Sequence, residues 1–527
     1  MTAAASAAVE QAGRPQDQRG PDGVARPVGA TDPAKHADAA AVSERPRVAI
    51  VHEVPRLTPR QRLEALLDEG SLQQLRSGVR SRRMGEKARD GDGVIVGHGR
   101  VAGRPVCCYA QDGSYAGGSL GESHADSIVE VLRLAGRARV PVVGFIESAG
   151  ARMQEGLAAL SGYGRIFREH VALSGRVPQI SIICGPSAGG GCYGPALTDF
   201  VIMSADSAMF LTGPRVIAEV TGEQIDMPTL GGPRVHERNG VCHLAAETEA
   251  DAARLARELL GHLPQHRDEA VPALPAEAPL HGSPEPLVPR NGRKVYDVRA
   301  VIAALVDGGR TIEISPRYAR NVVCALARLD GRAVGAIANQ PRYLGGVLDV
   351  DASQKAARFV RTCNTFGLPL VVLVDTPGFL PGSKQERDGV IRHGAKLVHA
   401  FAEASVPSVT VVLRKAFGGA FIAMNSKALG ADCVFAWPGA ELGVMGAGQA
   451  VGIMQRREIA AAADPGAARD VFAQTYAAEH LRVQGAGADG YVDEVISPAS
   501  TRARIAGAFE LLGAGGEHDP LSGNIPL

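Results

Sequence analysis

Two stretches of this chain hold residues whose type and spacing could do chemistry. In the first, Val406-Pro-Ser-Val-Thr-Val-Val-Leu413 is β-branched and apolar, the pattern of a buried strand, and runs into Arg414-Lys-Ala-Phe-Gly-Gly-Ala-Phe421. The paired Gly418-Gly419 turns the backbone, and the small-residue run 420–428 reads as a helix. N–H groups at a helix start have no partner inside the helix, so they bind an anion or an oxygen that becomes one during a reaction. The second stretch has the same design. A strand from Val177 to Gly185 leads into Pro186-Ser-Ala-Gly-Gly-Gly191 and then the run Tyr193 to Thr198. Pro178 and Pro407 stand 229 residues apart, as do Gly189 and Gly418. The spacing predicts a duplicated chain with one oxyanion site in each half.

The elements that must position these turns repeat in the same order. Pro141-Val-Val-Gly-Phe-Ile146 and Leu368-Pro-Leu-Val-Val-Leu-Val374 read as matched buried strands, ending in Glu147-Ser-Ala-Gly-Ala-Arg152 and Asp375-Thr-Pro-Gly378. After each Gly-Gly turn comes another short strand, at 199–203 and at 431–437, and the first half adds one at 208–211. Upstream, Thr58 caps a Leu-spaced helix with Pro59 at its first position, residues 92–109 alternate as a hairpin, and 123–138 read as a helix. Residues 264–292, rich in Pro, Ala, Glu and Gly, form the natural linker. Short strands alternating with helices imply α/β layers joined by right-handed crossovers.

Composition narrows the function classes. A chain of 527 residues exceeds one core and implies two or three domains. Basic and acidic side chains balance at 56 each, which gives no support to a nucleic-acid or membrane surface. The eight cysteines are scattered without a C-x-x-C pair, which argues against a zinc ribbon and a disulfide framework and fits a reducing cytoplasm. No apolar run approaches the ~18 residues of a membrane helix, and the first residues lack a secretory pattern. Residues 1–47 carry almost no large apolar side chains, and a disordered tail is expected there.

Other candidates admit two readings each. Glu147 and Asp375 end matched strands and suggest an acid–base pair, with loop bracing as the alternative. Arg80, Arg82, Arg83, Lys87 and Arg152 could meet phosphates, or be solvated surface. Arg414 and Lys415 could orient the second turn, or form surface ion pairs. His124 and His393 lack metal-ligand spacing, so no metal is expected.

Several motifs in order resemble one family. Asn339-Gln-Pro, Leu348-Asp-Val-Asp-Ala-Ser-Gln-Lys-Ala-Ala-Arg-Phe-Val360, Asp375-Thr-Pro-Gly-Phe-Leu-Pro-Gly382, Gly394-Ala-Lys396 and Arg414-Lys-Ala-Phe-Gly-Gly-Ala420 resemble the carboxyltransferase (β) subunit of biotin-dependent acyl-CoA carboxylases, propionyl-CoA type. Gly117-Gly-Ser-Leu-Gly-Glu122, Gln154-Glu-Gly156, Gly185-Pro-Ser-Ala-Gly-Gly190, Thr221-Gly-Glu223 and the Gly523-Asn-Ile-Pro-Leu527 tail extend the likeness. The resemblance implies two tandem crotonase-like domains, at 48–290 and 291–527. It implies Gly189 and Gly190 holding an acyl thioester oxygen, with Gly150, Arg152, Ser187 and Ala188 on the acyl-CoA. It implies Gly419 and Ala420 holding the biotin ureido oxygen, flanked by Phe417 and Gly418. It also implies a CoA thioester substrate, biotin borne on a separate carrier, a biotin carboxylase and carrier (α) subunit as partner, and a homo-hexameric core.

The chain departs from the family pattern at Ser148-Ala-Gly-Ala-Arg152, at Gly446-Ala-Gly-Gln-Ala450 and at Ser187, where a Cys is common. Ile422 occupies a position that lines the family's acyl pocket and is commonly Asp in propionyl-preferring members, which leaves acetyl-CoA and propionyl-CoA both open. Core packing is the alternative for Ile422. Rival functions are the transferase component of an acyl-CoA decarboxylase, a crotonase-type hydratase, and a non-catalytic scaffold subunit.

Overall fold

The computed structural model describes residues 56–280 and 282–513. The expected disordered tail at 1–47 and the Gly523–Leu527 motif lie outside the described residues. Thr58 caps the first helix, Pro59–Leu66, in a capping box with Gln61, and three of its residues (Arg62, Leu63 and Leu66) are buried.

The first half builds one sheet from β1 (Gln73–Leu75), β2 (Val94–Val101), β3 (Arg104–Gln111), β4 (Val142–Ser148), β5 (Gln179–Ala188), β6 (Phe200–Ser204), β7 (Ala208–Phe210) and β8 (Leu244–Ala246). The second half uses β9 (Thr311–Glu313), β10 (Val322–Leu329), β11 (Arg332–Asn339), β12 (Leu370–Thr376), β13 (Ser408–Phe417), β14 (Cys433–Ala436), β15 (Glu441–Gly443) and β16 (Glu494–Val495). Their orders are β1-β2-β3-β4-β5-β6-β8 and β9-β10-β11-β12-β13-β14-β16, with β7 on β5 and β15 on β13. In both, the first three strands pair antiparallel and the rest parallel. The fold is therefore α/β with two similar sheets in tandem, as the repeated pattern requires, and it agrees with the two crotonase-like domains that the resemblance implies.

Because strand side chains alternate between faces, each sheet feeds two cores. Val142 and Ile146 pack outward under the helix Glu122–Ala138, while Val143 and Phe145 join a cluster shared with Ile337, Phe359 and Val372 of the second half. Trp437 closes the outer core of the second half and donates from Nε1 to Thr501 Oγ1 at 3.0 Å.

Two details repeat where the chemistry is expected. The β4–β5 register slips between Ile146 and Ser148, and the β12–β13 register slips between Val374 and Thr376. The slipped residues are Glu147 and Asp375. A bulge of this kind bends the strand end and re-aims the loop beyond it. A tight turn backs each bulge: Gly118, at φ 69, and Gly346, at φ 79, lie so close that a Cβ would sit 2.2 Å from the Glu147 carbonyl oxygen and 2.6 Å from that of Asp375.

The helix after the second Gly-Gly turn is shorter than expected, Gly418–Ala423, because Asn425 adopts φ 60 and breaks it before residue 428. The linker holds little regular structure, only a short 3-10 turn at Glu285–Leu287, but it is tied to the second half by bridges Ala273–Arg332 and Pro279–Asp307. Gly118→Ala and Gly346→Ala each combine strain with a backbone clash, so each should destabilise its half by ~2 kcal/mol or more. Chemical denaturation of the two variants checks this, and unchanged midpoints would contradict it.

Candidate active site

At the end of β5 the chain reverses into the helix Gly190–Ala196 through Gly189, at φ 56. At the end of β13 it reverses into Gly418–Ala423 through Gly418, at φ 60. A side chain at either glycine would be strained in the left-handed region. The first turn corrects one expectation. The Gly189 N–H donates to the Phe210 carbonyl at 3.1 Å, so it is already used in holding β7 against the turn. The free pair moves one residue on, to Gly190 and Gly191. These are also the positions that the 229-residue offset matches to Gly419 and Ala420. None of these four amides has a hydrogen-bond partner among the described residues.

The surroundings hold both turns rigid. A Cβ at Gly190 would lie 2.7 Å from the Tyr163 ring, so that ring packs directly on the turn, and its hydroxyl lies 3.1 Å from Ser148 Oγ. Ser187 is fully buried and its hydroxyl donates to the Gly191 carbonyl at 2.8 Å. Gly150, at φ 101, donates to Ser148 Oγ and accepts from the Leu120 N–H. Ser187 and Gly150 therefore brace the loop from within rather than face a substrate. Ala188 pairs with Phe210 at the strand end. On the second turn, the Phe379 ring lies 3.7 Å from where a Gly419 Cβ would be, and Phe417 is buried against Gly446.

Arg152 overturns a second expectation. Its guanidinium is fully buried, pairing with Asp92 at 2.6 Å and Glu155 at 2.8 Å and donating to the carbonyls of Asp92 and Ser119. Two carboxylates draw it inward, so it cannot reach a phosphate. Arg80, Arg82, Arg83 and Lys87 stay on the surface, Arg80 against Asp90 and Arg83 against Glu122.

The two bulge carboxylates are braces as well. Glu147 accepts from Arg56 and Arg62, each at 2.9 Å, and Arg62 also pairs with Glu249. Asp375 is fully buried and accepts from Arg414 Nε at 3.0 Å. Burial pushes its carboxyl above the usual range, and the Arg414 charge opposes that. Arg414 is buried too, so the surface ion-pair alternative fails. It also donates to the carbonyls of Pro289, Asn291 and Lys294 at 3.3, 3.1 and 2.8 Å, and its guanidinium lies over the Tyr296 ring. Gly185 occupies the matching position in the first half, where a Cβ would lie 2.5 Å from the Arg56 guanidinium. Each half thus meets its bulge carboxylate with arginine, from different places in the chain.

His124 is buried, and burial together with the Arg152 charge pulls it down to about 3, so it stays neutral. Among the described residues no group of three or more His, Cys, Asp and Glu side chains could hold a metal.

Ile422 is 47 % exposed beside the second turn, which removes the core alternative. Val444, Ile453 and Met454 are exposed in the same half, as Tyr193, Leu211 and Met153 are in the first. Arg414→Met leaves the Asp375 carboxyl buried without its cation. It should cost about 3–5 kcal/mol, whereas Lys415→Met, on a half-buried side chain with one carbonyl partner, should cost far less. Denaturant midpoints of the two variants test this, and equal losses would contradict it.

Comparison with known proteins agrees with this geometry. The family model described as the carboxyl transferase domain matches residues 51–522. The chain is 45% identical over 490 residues to a putative propionyl-CoA carboxylase beta chain of Bacillus subtilis, covering 92% of this chain and 96% of that one. It is 45% identical over 499 residues to a biotin-dependent acetyl-/propionyl-coenzyme A carboxylase beta5 subunit of Mycobacterium tuberculosis, covering 90% and 91%. A solved structure of transcarboxylase 12S, described as a hexamer with methylmalonyl-coenzyme A and methylmalonic acid bound, superposes with a TM-score of 0.86 at 45% identity, covering 90% and 92%. The chain belongs to the carboxyl transferase family, as a carboxyltransferase of the kind that forms the β subunit of biotin-dependent acyl-CoA carboxylases.

Proposed function

We propose that this chain moves a carboxyl group from biotin, borne on a separate carrier protein, to the α-carbon of acetyl-CoA or propionyl-CoA, giving malonyl-CoA or methylmalonyl-CoA. The observation that carries the reading is the pair of matched turns, each with two unpartnered amides at a helix start. Loss of the α-proton puts negative charge on the thioester oxygen, and Gly190 and Gly191 would receive it. Gly419 and Ala420 would receive the charge on the ureido oxygen. Gly419 is exposed at the end of the strand, with room for a planar ring, and Phe379 bounds one side. Biotin, when bound, supplies the transferable carboxyl and a nitrogen basic enough to take the α-proton. This fits the side chains present, because Glu147 and Asp375 are both committed to arginine. Preorganised donors of this type are worth ~3–4 kcal/mol of barrier each.

The domain division at 48–290 and 291–527 belongs to this reading, with one oxyanion site per domain. A homo-hexameric core and a biotin carboxylase and carrier (α) subunit are its expected partners. The exposed apolar side chains of the two halves supply surfaces for them. No helix among the described residues is long and apolar enough to cross a membrane. All eight cysteines are free, which fits the cytoplasmic location expected of such an enzyme.

The enzyme claim is tested by mixing the chain with carboxylated carrier protein and acetyl-, propionyl- and butyryl-CoA. Acyl-dependent loss of the carboxyl group is expected, and none on any thioester would leave a scaffold subunit. Ala420→Pro removes one amide at a position where the first helical turn tolerates proline, so kcat should fall about 10²–10³-fold with the fold retained. A variant as active as the parent would defeat the assignment of the second turn. Ile422→Asp should change the acetyl-to-propionyl ratio by roughly 10-fold. An unchanged ratio would remove Ile422 from the acyl pocket.

A further inference from the structure

The motif Leu348–Val360 is not used by either turn. It forms the start of the helix Val350–Thr365, and it faces a cavity of about 290 Å³ on the seam between the two halves. The first half contributes Phe200 at the head of β6, Val241 and His243. The second contributes Ile314, Lys355, Arg358 and Phe359, with Lys396 further along the lining.

The polar groups of this cavity are unusual in their charge. Lys355 is only 7 % exposed, and its Nζ donates to two neutral acceptors, the carbonyls of Tyr318 at 2.9 Å and Val322 at 2.8 Å. An ammonium has three donors, so these leave one. Among the described residues Lys355 forms no ion pair; Glu313, the carboxylate whose charge it feels, is paired with Arg299 at 2.6 Å. Arg358 stands one turn later on the same helix face and donates to the carbonyls of Thr198 and Asp199. Burial pulls both cations down, Arg358 to about 10. His243 accepts the Val201 N–H on Nδ1 at 2.9 Å, and burial holds it neutral, down to about 3. Its proton therefore sits on Nε2, which makes the imidazole a fixed donor. Asp199 also lines the cavity and its charge acts on Arg358, so the cavity combines a buried lysine that forms no ion pair, a neutral N–H donor, and the apolar side chains of Phe200, Ile314 and Phe359.

We propose that this seam cavity binds a small carboxylate with a short aliphatic chain, its carboxylate against Lys355 and His243 and its chain against Phe200, Ile314 and Phe359. An inorganic anion would satisfy the charge but leave the apolar part of the lining without a partner. A ligand here touches both halves, so its binding stabilises their packing on one another by mass action. The proposal is independent of the chemistry assigned to the glycine turns, which this cavity does not include.

Calorimetry and thermal unfolding of the full chain with sodium butyrate, sodium acetate and sodium sulfate at constant ionic strength test it. Saturable binding and a saturable rise in Tm are expected for butyrate, weaker for acetate and weakest for sulfate. Lys355→Met should weaken butyrate binding ~10-fold or more, because a charge-assisted hydrogen bond is lost. Val241→Phe, which narrows the cavity and leaves every charge in place, should weaken it as well and keeps the test valid if Lys355→Met does not fold. Equal, non-saturating shifts with all three salts would overturn the proposal. So would sulfate binding more tightly than butyrate, or butyrate binding unchanged by Val241→Phe.

Discussion

Both candidate sites depend on one backbone constraint: a long parallel strand must stop at a residue in the left-handed region and begin a helix at once. Gly189 and Gly418 meet it at φ 56 and φ 60. The consequence is geometric. The next two amides lie at a helix's positive end, and among the described residues no carbonyl accepts from them. A fixed pair of donors costs no reorganisation when an oxygen gains charge, which is why such turns suit carboxyl transfer without any side-chain acid or base.

Rigidity comes from beneath. Each neighbouring strand slips register at a carboxylate, and each carboxylate is held by buried arginine. A buried ion pair adds little net stability, but breaking one is expensive, so it specifies where a strand end lies. The halves solve the same problem differently. Glu147 takes its cations from Arg56 and Arg62 near the start of the described chain. Asp375 takes Arg414 from its neighbouring strand, and Arg414 in turn fastens the end of the linker by two carbonyls and Lys294, just past it, by a third. Duplication has kept the geometry while the residues that enforce it have diverged.

Much of this was legible in the sequence because it is local. Apolar runs ending in Gly-Gly, their constant offset and the matched strand ends required no tertiary information. The errors came from partners far along the chain. Gly189 could not be seen to lose its amide to Phe210, because that carbonyl comes from a separate strand paired alongside. Arg152 reads as a phosphate ligand until Asp92, 60 residues earlier, folds against it. Composition also hid the role of 264–292: a Pro-rich segment reads as a loose connector, yet its later carbonyls and those just beyond it accept from a buried guanidinium. The early end of the helix after Gly419 had one available signal, Asn425, a residue type that tolerates left-handed backbone.

The central claim is that Gly190 and Gly191 form one oxyanion pocket and Gly419 and Ala420 the other. A structure of the oligomer with an acyl-CoA and a biotin-bearing carrier tests this most directly. The account predicts the thioester oxygen ~2.7–3.1 Å from the Gly190 and Gly191 nitrogens, and the ureido oxygen as close to Gly419 and Ala420. Thioester and ureido oxygens held by other groups would contradict it.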